Sequence, residues 1–71
     1  NDYRTVRKIY EELVRRFPKA EHFAVLAAVY KELKEYDLAI EATQKAVAND
    51  PKNFGEEAKV FLQMIENERN R

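Results

Sequence analysis

Few residues of this sequence belong to the types that carry enzyme chemistry. The 71 residues include no cysteine, no serine, one histidine (His22) and one glycine (Gly55). Acyl transfer through a Ser or Cys nucleophile and phosphate binding by a glycine-rich loop are excluded, because each needs residue types that are missing. His22 has no second histidine or cysteine to share a metal with and stands outside an H-E-x-x-H motif. We therefore expect no enzymatic activity, no metal and no cofactor.

Acidic pairs are the next candidates for chemistry. Glu56 with Glu57, and Glu66 with Glu68, offer the carboxylates that general acid–base catalysis uses. Neighbours along a helix point to different sides, however, and acidic residues near a helix start interact favourably with its dipole. The turn at residues 49–53 has oxygen donors but lacks the spacing and closing glutamate of a calcium loop. We interpret all these groups as structural.

We expect three tyrosines to pack rather than to stack on bases: Tyr10, Tyr30 and Tyr36.

The composition is that of one small helical domain. Hydrophobic residues make up 45% of the chain and charged residues 37%, with 13 basic and 13 acidic side chains. Residues 1–20 hold six basic and three acidic residues, yet the overall pI of about 6.8 is not the basic footprint of a nucleic-acid-binding domain. No apolar run reaches the roughly 18 residues of a membrane span. The absence of cysteine permits a reducing compartment and favours the cytoplasm, but the location stays unknown.

The first half of the chain predicts two helices. From Tyr3 to Phe17 apolar residues recur every three or four positions, which indicates one apolar helix stripe, and Pro18 ends the helix. A second helix is expected from about residue 20 to Lys34. Its apolar residues cover a wide sector, so we expect neighbours on more than one side.

The second half predicts two more helices. A break near Glu35 precedes the third, where Asp37 is placed to cap or charge the N-terminus, and residues 49–51 end it with turn chemistry. Asn53 is the expected N-cap of the fourth helix. The polar run after Glu66 is expected to fray.

An internal repeat distinguishes between the two ways of arranging four such helices. Short connections favour either a closed bundle or a stack of hairpins. Shifting the sequence by 33 residues aligns helix one with helix three, because Tyr3 falls on Tyr36 and Pro18 on Pro51. Such an echo is typical of a repeat array. We therefore predict an all-α fold of four helices, stacked as antiparallel hairpins.

Residues 20–53 carry a specific spacing of apolar and small residues. The positions are Phe23, Leu26, Ala27, Tyr30, Ala39, Thr43, Ala46 and Pro51. This spacing resembles the tetratricopeptide repeat (TPR), a helix–turn–helix with the pattern W-x2-L-G-x2-Y, A-x3-F and P. The chain departs from the pattern with Phe23 for Trp, Ala27 for Gly, Thr43 for an aromatic residue, and Lys34 where the family commonly has Gly. The resemblance divides the chain into the second helix of a partial repeat (1–18), a full repeat (20–53) and a terminal capping helix (54–71).

The resemblance implies a function as well as a fold. TPR arrays are solenoids that dock peptides on a concave face formed by the first helix of each repeat, so this chain is expected to be a non-enzymatic protein–protein interaction scaffold with a protein or peptide partner. The implied docking residues are Glu21, Ala24, Ala28, Lys31 and Glu32. Two alternatives stay open: a scaffold fragment resembling the half-a-TPR repeats of RNA-processing proteins, and an engineered or truncated module with no ligand of its own.

Helix one also predicts self-association. The helix that would precede it in a repeat array is missing from this sequence, so part of its apolar stripe is expected to be uncovered. Exposed apolar stripes of this size favour association. A homodimer would bury the residues Val6, Ile9, Tyr10 and Leu13.

Overall fold

The computed structural model describes residues 2–71, which form four helices joined by short connections. Helix α1 spans Tyr3–Arg16, α2 spans Ala20–Glu32, α3 spans Tyr36–Asn49 and α4 spans Pro51–Arg69. No strand occurs within residues 2–71. The predicted all-α class, with four helices, is confirmed.

Local capping explains where α1 begins and ends. The Asp2 carboxylate accepts hydrogen bonds from the Arg4 backbone N–H at 3.1 Å and from the Thr5 hydroxyl at 2.9 Å. The bond to Arg4 satisfies a backbone N–H that the first helical turn leaves without a partner. At the other end, Phe17 leaves the helical conformation because Pro18 follows it.

The turn between α2 and α3 requires a left-handed residue. Lys34 has φ of 61°, the only positive φ among residues 2–71. Around it, the Glu35 N–H donates to the Tyr30 carbonyl at 2.9 Å and the Lys34 N–H donates to the Lys31 carbonyl at 2.9 Å. This is the hydrogen-bond pattern of a Schellman motif, in which glycine is the residue of lowest cost. Lys34 therefore adopts a backbone conformation that glycine would adopt at lower energetic cost.

Helix α4 begins earlier than the sequence predicts. Asp50 is its N-cap, and the Asp50 carboxylate accepts from the Asn53 backbone N–H at 3.3 Å and from the Asn53 side-chain amide at 2.9 Å. Pro51 occupies the first turn, where its missing N–H costs nothing. The prediction of Asn53 as the cap is wrong, because Asp50 can cap as well and lies directly before a proline suited to that turn. The expected fraying after Glu66 is also wrong, since α4 continues to Arg69.

The helices pack in chain order into a thin slab. Within residues 2–71, the most extensive helix contacts are those of α2 with α3, followed by α3 with α4 and α1 with α2. The slab measures 35 × 31 × 17 Å, and 17 Å is the thickness of two helix layers at most, since a helix with its side chains is about 10 Å wide. A closed bundle would also pack α1 against α4. The arrangement is therefore that of stacked antiparallel hairpins.

The core lies where α2, α3 and α4 meet. Small residues of α2 and α3 allow close approach, because Ala27, Ala39 and Ala42 are buried. Ile65 of α4 is fully buried against them. Helix α1 contributes no fully buried residue and adds Tyr10 and Val14 at the edge of this core.

Candidate functional site

An apolar groove lies between α2 and α4. Its volume is about 450 Å³. Helix α3 forms its floor through Thr43, Ala46 and Val47. The walls come from Ala24, Ala27 and Ala28 of α2 and from Phe54, Glu57, Ala58, Val60, Phe61 and Met64 of α4. We call this feature the α2/α4 groove.

The two walls of the α2/α4 groove differ in shape. On the α2 side, Ala24 and Ala28 present only methyl groups, so the wall is close to the helix backbone. On the α4 side, Val60 is 65% exposed and Met64 is 44% exposed. Exposed apolar side chains facing small residues form a surface that buries apolar area when an extended or helical segment fills the gap.

The groove has little polar chemistry of its own. The Thr43 hydroxyl already donates to the Ala39 carbonyl at 2.7 Å. Glu57 is the one charged side chain in the lining, and it makes no ion pair within residues 2–71. Recognition in the groove would therefore depend on apolar contact, with a single carboxylate to favour a positive group.

A polar cluster outside the groove lining joins the C-terminal ends of α2 and α4. Lys31 on α2 donates to the Glu68 carboxylate at 2.9 Å, and the Tyr36 hydroxyl donates to the other oxygen of Glu68 at 3.2 Å. The hydrogen bond from Lys31 is the main cause that lowers the pKa of Glu68. The same bond, partly offset by burial, raises the pKa of Lys31. The cluster ties the ends of α2, α3 and α4 together.

The residues predicted for docking have different positions around this groove. Ala24 and Ala28 line it. Lys31 and Glu32 form an ion pair at 3.2 Å, and Lys31 is committed to Glu68 as well. Glu21 is exposed on α2, one turn before Ala24. Two of the five predicted docking residues therefore line the groove, and docking itself stays a prediction.

The α4 wall was not among the predicted docking residues. Val60 and Met64 lie four residues apart, outside the stripe by which α4 faces the core. That spacing was the available signal, because two apolar residues on an otherwise polar helix face form a second stripe. What the sequence did not show is that α2 faces this second stripe.

The residues predicted for self-association divide between two faces of α1. Tyr10 packs against the core and meets His22 edge to face, with ring centroids 6.3 Å apart. Ile9 is 58% exposed, whereas Val6 and Leu13 are half-buried. Tyr10 is therefore already used within the molecule.

A second polar cluster joins α1 to the α2–α3 hairpin. Arg7 donates to Glu11 at 3.2 Å and to Glu35 at 2.7 Å. The Tyr30 hydroxyl donates to the same Glu11 oxygen at 2.6 Å. Burial, followed by this bond to Glu11, raises the pKa of Tyr30 far above its ordinary value. The second oxygen of Glu35 is buried and has no hydrogen-bond partner within residues 2–71.

The candidate catalytic groups have structural surroundings. The Nδ1 atom of His22 lies 2.9 Å from the Phe17 carbonyl, and since a carbonyl only accepts, this nitrogen carries the proton. His22 is half-buried and joins α2 to the α1–α2 connection, whereas Glu56 and Glu57 are exposed. In the part of the chain from residue 2 onward, no group of acidic or histidine side chains is arranged to hold a metal ion. No helix there has the length and apolar character needed to cross a membrane.

Comparison of the chain with protein-family models, with curated proteins and with solved structures finds no match. The resemblance to the tetratricopeptide repeat stays a prediction. We therefore infer the function from the sequence and from the geometry of the α2/α4 groove.

Proposed function

We propose that this protein is a non-enzymatic interaction module that docks a segment of a partner protein in the α2/α4 groove. The observation that carries the proposal is the exposure of Val60 and Met64 opposite Ala24 and Ala28. Apolar side chains lining a concave surface are typical of peptide-docking sites. The TPR resemblance supports the same face, because it assigns docking to the first helix of a repeat, which here is α2.

The charged residues favour a protein partner over RNA. An RNA-binding scaffold would use the basic residues of α1, as the half-a-TPR resemblance suggests. Arg15 and Arg16 both pair with Glu12, and Arg7 pairs with Glu11 and Glu35. The carboxylates beside these arginines reduce, without cancelling, the positive charge that α1 offers to phosphates.

A peptide-display selection tests the proposal. A library of random 12-residue peptides is selected against the immobilised chain, and the enriched peptides are synthesised and titrated by calorimetry. We expect peptides with two or more apolar residues to be enriched. Their affinity should fall at least about tenfold with Ala28→Arg, because the long side chain fills the groove. Peptides that show no enrichment over a blank surface would contradict the proposal and would favour a module without a ligand.

A matched variant separates groove filling from general damage. Ala48 is an exposed alanine on α3 that does not line the groove. Ala48→Arg introduces the same side chain and should leave peptide affinity within about twofold. Equal losses for Ala28→Arg and Ala48→Arg would place binding outside the groove.

A further inference from the structure

One face of α1 is apolar and only partly covered. Tyr10 and Val14 turn toward the core, and beside them runs a row that we call the α1 stripe, composed of Val6, Ile9, Leu13 and Phe17. Ile9 is 58% exposed and Phe17 is 55% exposed, while Val6 and Leu13 are half-buried. Among residues 2–71, α2 is the helix that packs most extensively on α1.

We propose that a second copy of this chain covers the α1 stripe, in a twofold dimer in which α1 pairs antiparallel with α1. The symmetry axis passes near Ile9. Each copy then buries the same four residues against those of the other copy. Such an isologous contact closes after two subunits.

The opposite end of the slab argues against head-to-tail assembly. Helix α4 has an outer face with the same spacing as the α1 stripe, formed by the exposed residues Glu56, Lys59, Gln63 and Asn67. Packing the α1 stripe of one copy on this face would bury charged and amide groups without partners, which is costly. The α1 stripe therefore finds its apolar complement in another α1 and not in the outer face of α4.

The charges that border the α1 stripe favour the antiparallel orientation. At 100° per residue, Asp2 and Arg16 each lie within about 20° of Ile9 around the helix axis. They are at opposite ends of α1, seven residues on either side of Ile9. An antiparallel pair centred on Ile9 brings Arg16 of one copy beside Asp2 of the other copy, twice per dimer. A parallel pair would bring Arg16 beside Arg16.

Sedimentation equilibrium over a wide concentration range tests the dimer. We expect the mass to rise from 8.4 kDa to twice that value and to stop there. Ile9→Glu should weaken the dimer at least about tenfold, because it places two carboxylates at the axis. Since Ile9 is mostly exposed, the helical circular dichroism of this variant should be unchanged. A wild-type chain that stays monomeric at millimolar concentration overturns the proposal.

A groove variant distinguishes the proposed contact from insertion of α1 into the α2/α4 groove of another copy. Met64→Glu places a charge in the groove and should leave the dimer intact. Loss of association in Met64→Glu, or a mass that grows beyond the dimer, would show that the groove receives α1. Either result overturns the twofold arrangement. The α1 stripe and the groove are separate surfaces. A result that overturns the dimer therefore does not bear on the proposed peptide docking, which the peptide selection tests separately.

Two neighbouring arginines provide a matched test of the charge argument. Arg15 and Arg16 both pair with Glu12 and are similarly exposed, at 73% and 71%. Only Arg16 borders the α1 stripe, since Arg15 is about 120° from Ile9. Arg16→Glu should weaken the dimer about fivefold at low salt, and Arg15→Glu less than about twofold. Equal effects of the two variants contradict the antiparallel register.

Single cysteines determine the orientation directly, because the chain has no cysteine of its own. Ile9→Cys should form a disulfide-linked dimer on mild oxidation, since the two Ile9 positions meet at the axis. Phe17→Cys should link much more slowly, because antiparallel pairing keeps the two Phe17 positions apart. Lys8→Cys, on another side of α1, serves as the background rate. Faster linkage of Phe17→Cys than of Ile9→Cys overturns the antiparallel pair.

Discussion

At the scale of single residues, Tyr30 is a buried polar group that joins two helices. Its ring is buried in α2 at 7% exposure, and its hydroxyl donates to Glu11 of α1 at 2.6 Å. Arg7 lies over the ring at 5.7 Å and donates to the same glutamate and to Glu35. One tyrosine thus connects α1 to the end of the α2–α3 hairpin through both its ring and its hydroxyl.

The Tyr30 hydroxyl should stabilise the fold more than that of Tyr36. Tyr30→Phe removes the donor to Glu11, and we expect the free energy of unfolding to fall by about 1.5 kcal/mol. Tyr36→Phe removes a longer bond to Glu68, at 3.2 Å, and should cost about 0.5 kcal/mol. Urea denaturation of both variants measures the difference. Equal losses of stability in the two variants would mean that the hydrogen bond from Tyr30 to Glu11 is no stronger than the bond from Tyr36 to Glu68.

Lys34 should be replaceable by glycine with a gain in stability. Its φ of 61° costs a residue with a side chain roughly 1 kcal/mol, and glycine avoids this cost. We expect Lys34→Gly to raise the free energy of unfolding by about 0.5–1 kcal/mol. Lys34→Ala, which also removes the charge but keeps the Cβ atom, should not stabilise. A similar gain from both variants would assign the effect to charge.

At the scale of elements, the stability of each helix depends on how its ends are capped or packed. The connections between the helices are only a few residues long. Asp50 alone separates α3 from α4, and its side chain caps the longer helix. Asp2 does the same for α1. No side chain within residues 2–71 caps the start of α2. Because α2 packs against α1 on one side and α3 on the other, this packing stabilises it instead.

The identity of the α4 cap can be measured. Asp50→Ala should lower the free energy of unfolding by about 1 kcal/mol, because it removes the acceptor for the Asn53 N–H. Asn53→Ala keeps that backbone bond and loses only a side-chain contact at an exposed position, so it should cost less than about 0.5 kcal/mol. Thermal denaturation followed by circular dichroism compares them. A larger loss of stability in Asn53→Ala than in Asp50→Ala would show that Asn53 is the N-cap, as the sequence predicts.

Gly55 is a weak point within α4. It lies in the second turn of the helix, and a Cβ atom added there would meet no atom within 4 Å. Gly55→Ala should therefore stabilise the protein by about 0.5–1 kcal/mol through helix propensity and lower entropy of the unfolded chain. The same denaturation experiment measures it. A loss of stability would show that the side of α4 at Gly55 is in contact with something else.

At the scale of the whole molecule, ion pairs between distant parts of the chain link stability to pH. Glu68 joins α4 to α2 through Lys31, and its pKa lies below the ordinary glutamate value of 4.5. A group with a lowered pKa in the folded state stabilises the protein above its unfolded pKa. That stabilisation is lost as the pH falls through the folded pKa.

We therefore expect the urea midpoint to fall as the pH is lowered from about 5 to 3. Lys31→Met removes the partner that lowers the pKa of Glu68, so this variant should lose less stability over the same range. Lys59→Met is the matched control, because Lys59 forms only an exposed pair with Glu56 at 3.7 Å. An identical pH dependence of Lys31→Met and the wild type would mean that Glu68 does not contribute.

The local pattern of the sequence determined the helices and their repeat. Helix α1 and helix α3 each have 14 residues, and their ends lie 33 residues apart, as the echo of Tyr3 in Tyr36 predicts. Hydrophobic periodicity and helix-breaking residues such as Pro18 determine structure over one or two helical turns. They can therefore be recognised in the sequence without knowledge of the tertiary structure. The exact start of α4 could not be read in this way, because Asp50 and Asn53 are both good caps.

The tertiary structure decided which faces of these helices meet. Lys31 and Glu68 are 37 positions apart, and nothing local in either segment predicts their ion pair. In the same way, Val60 and Met64 become a groove wall only because α2 lies opposite them with small side chains. Periodicity shows that a helix has an apolar face, but the partner of that face depends on crossing angles and side-chain sizes summed over several helices.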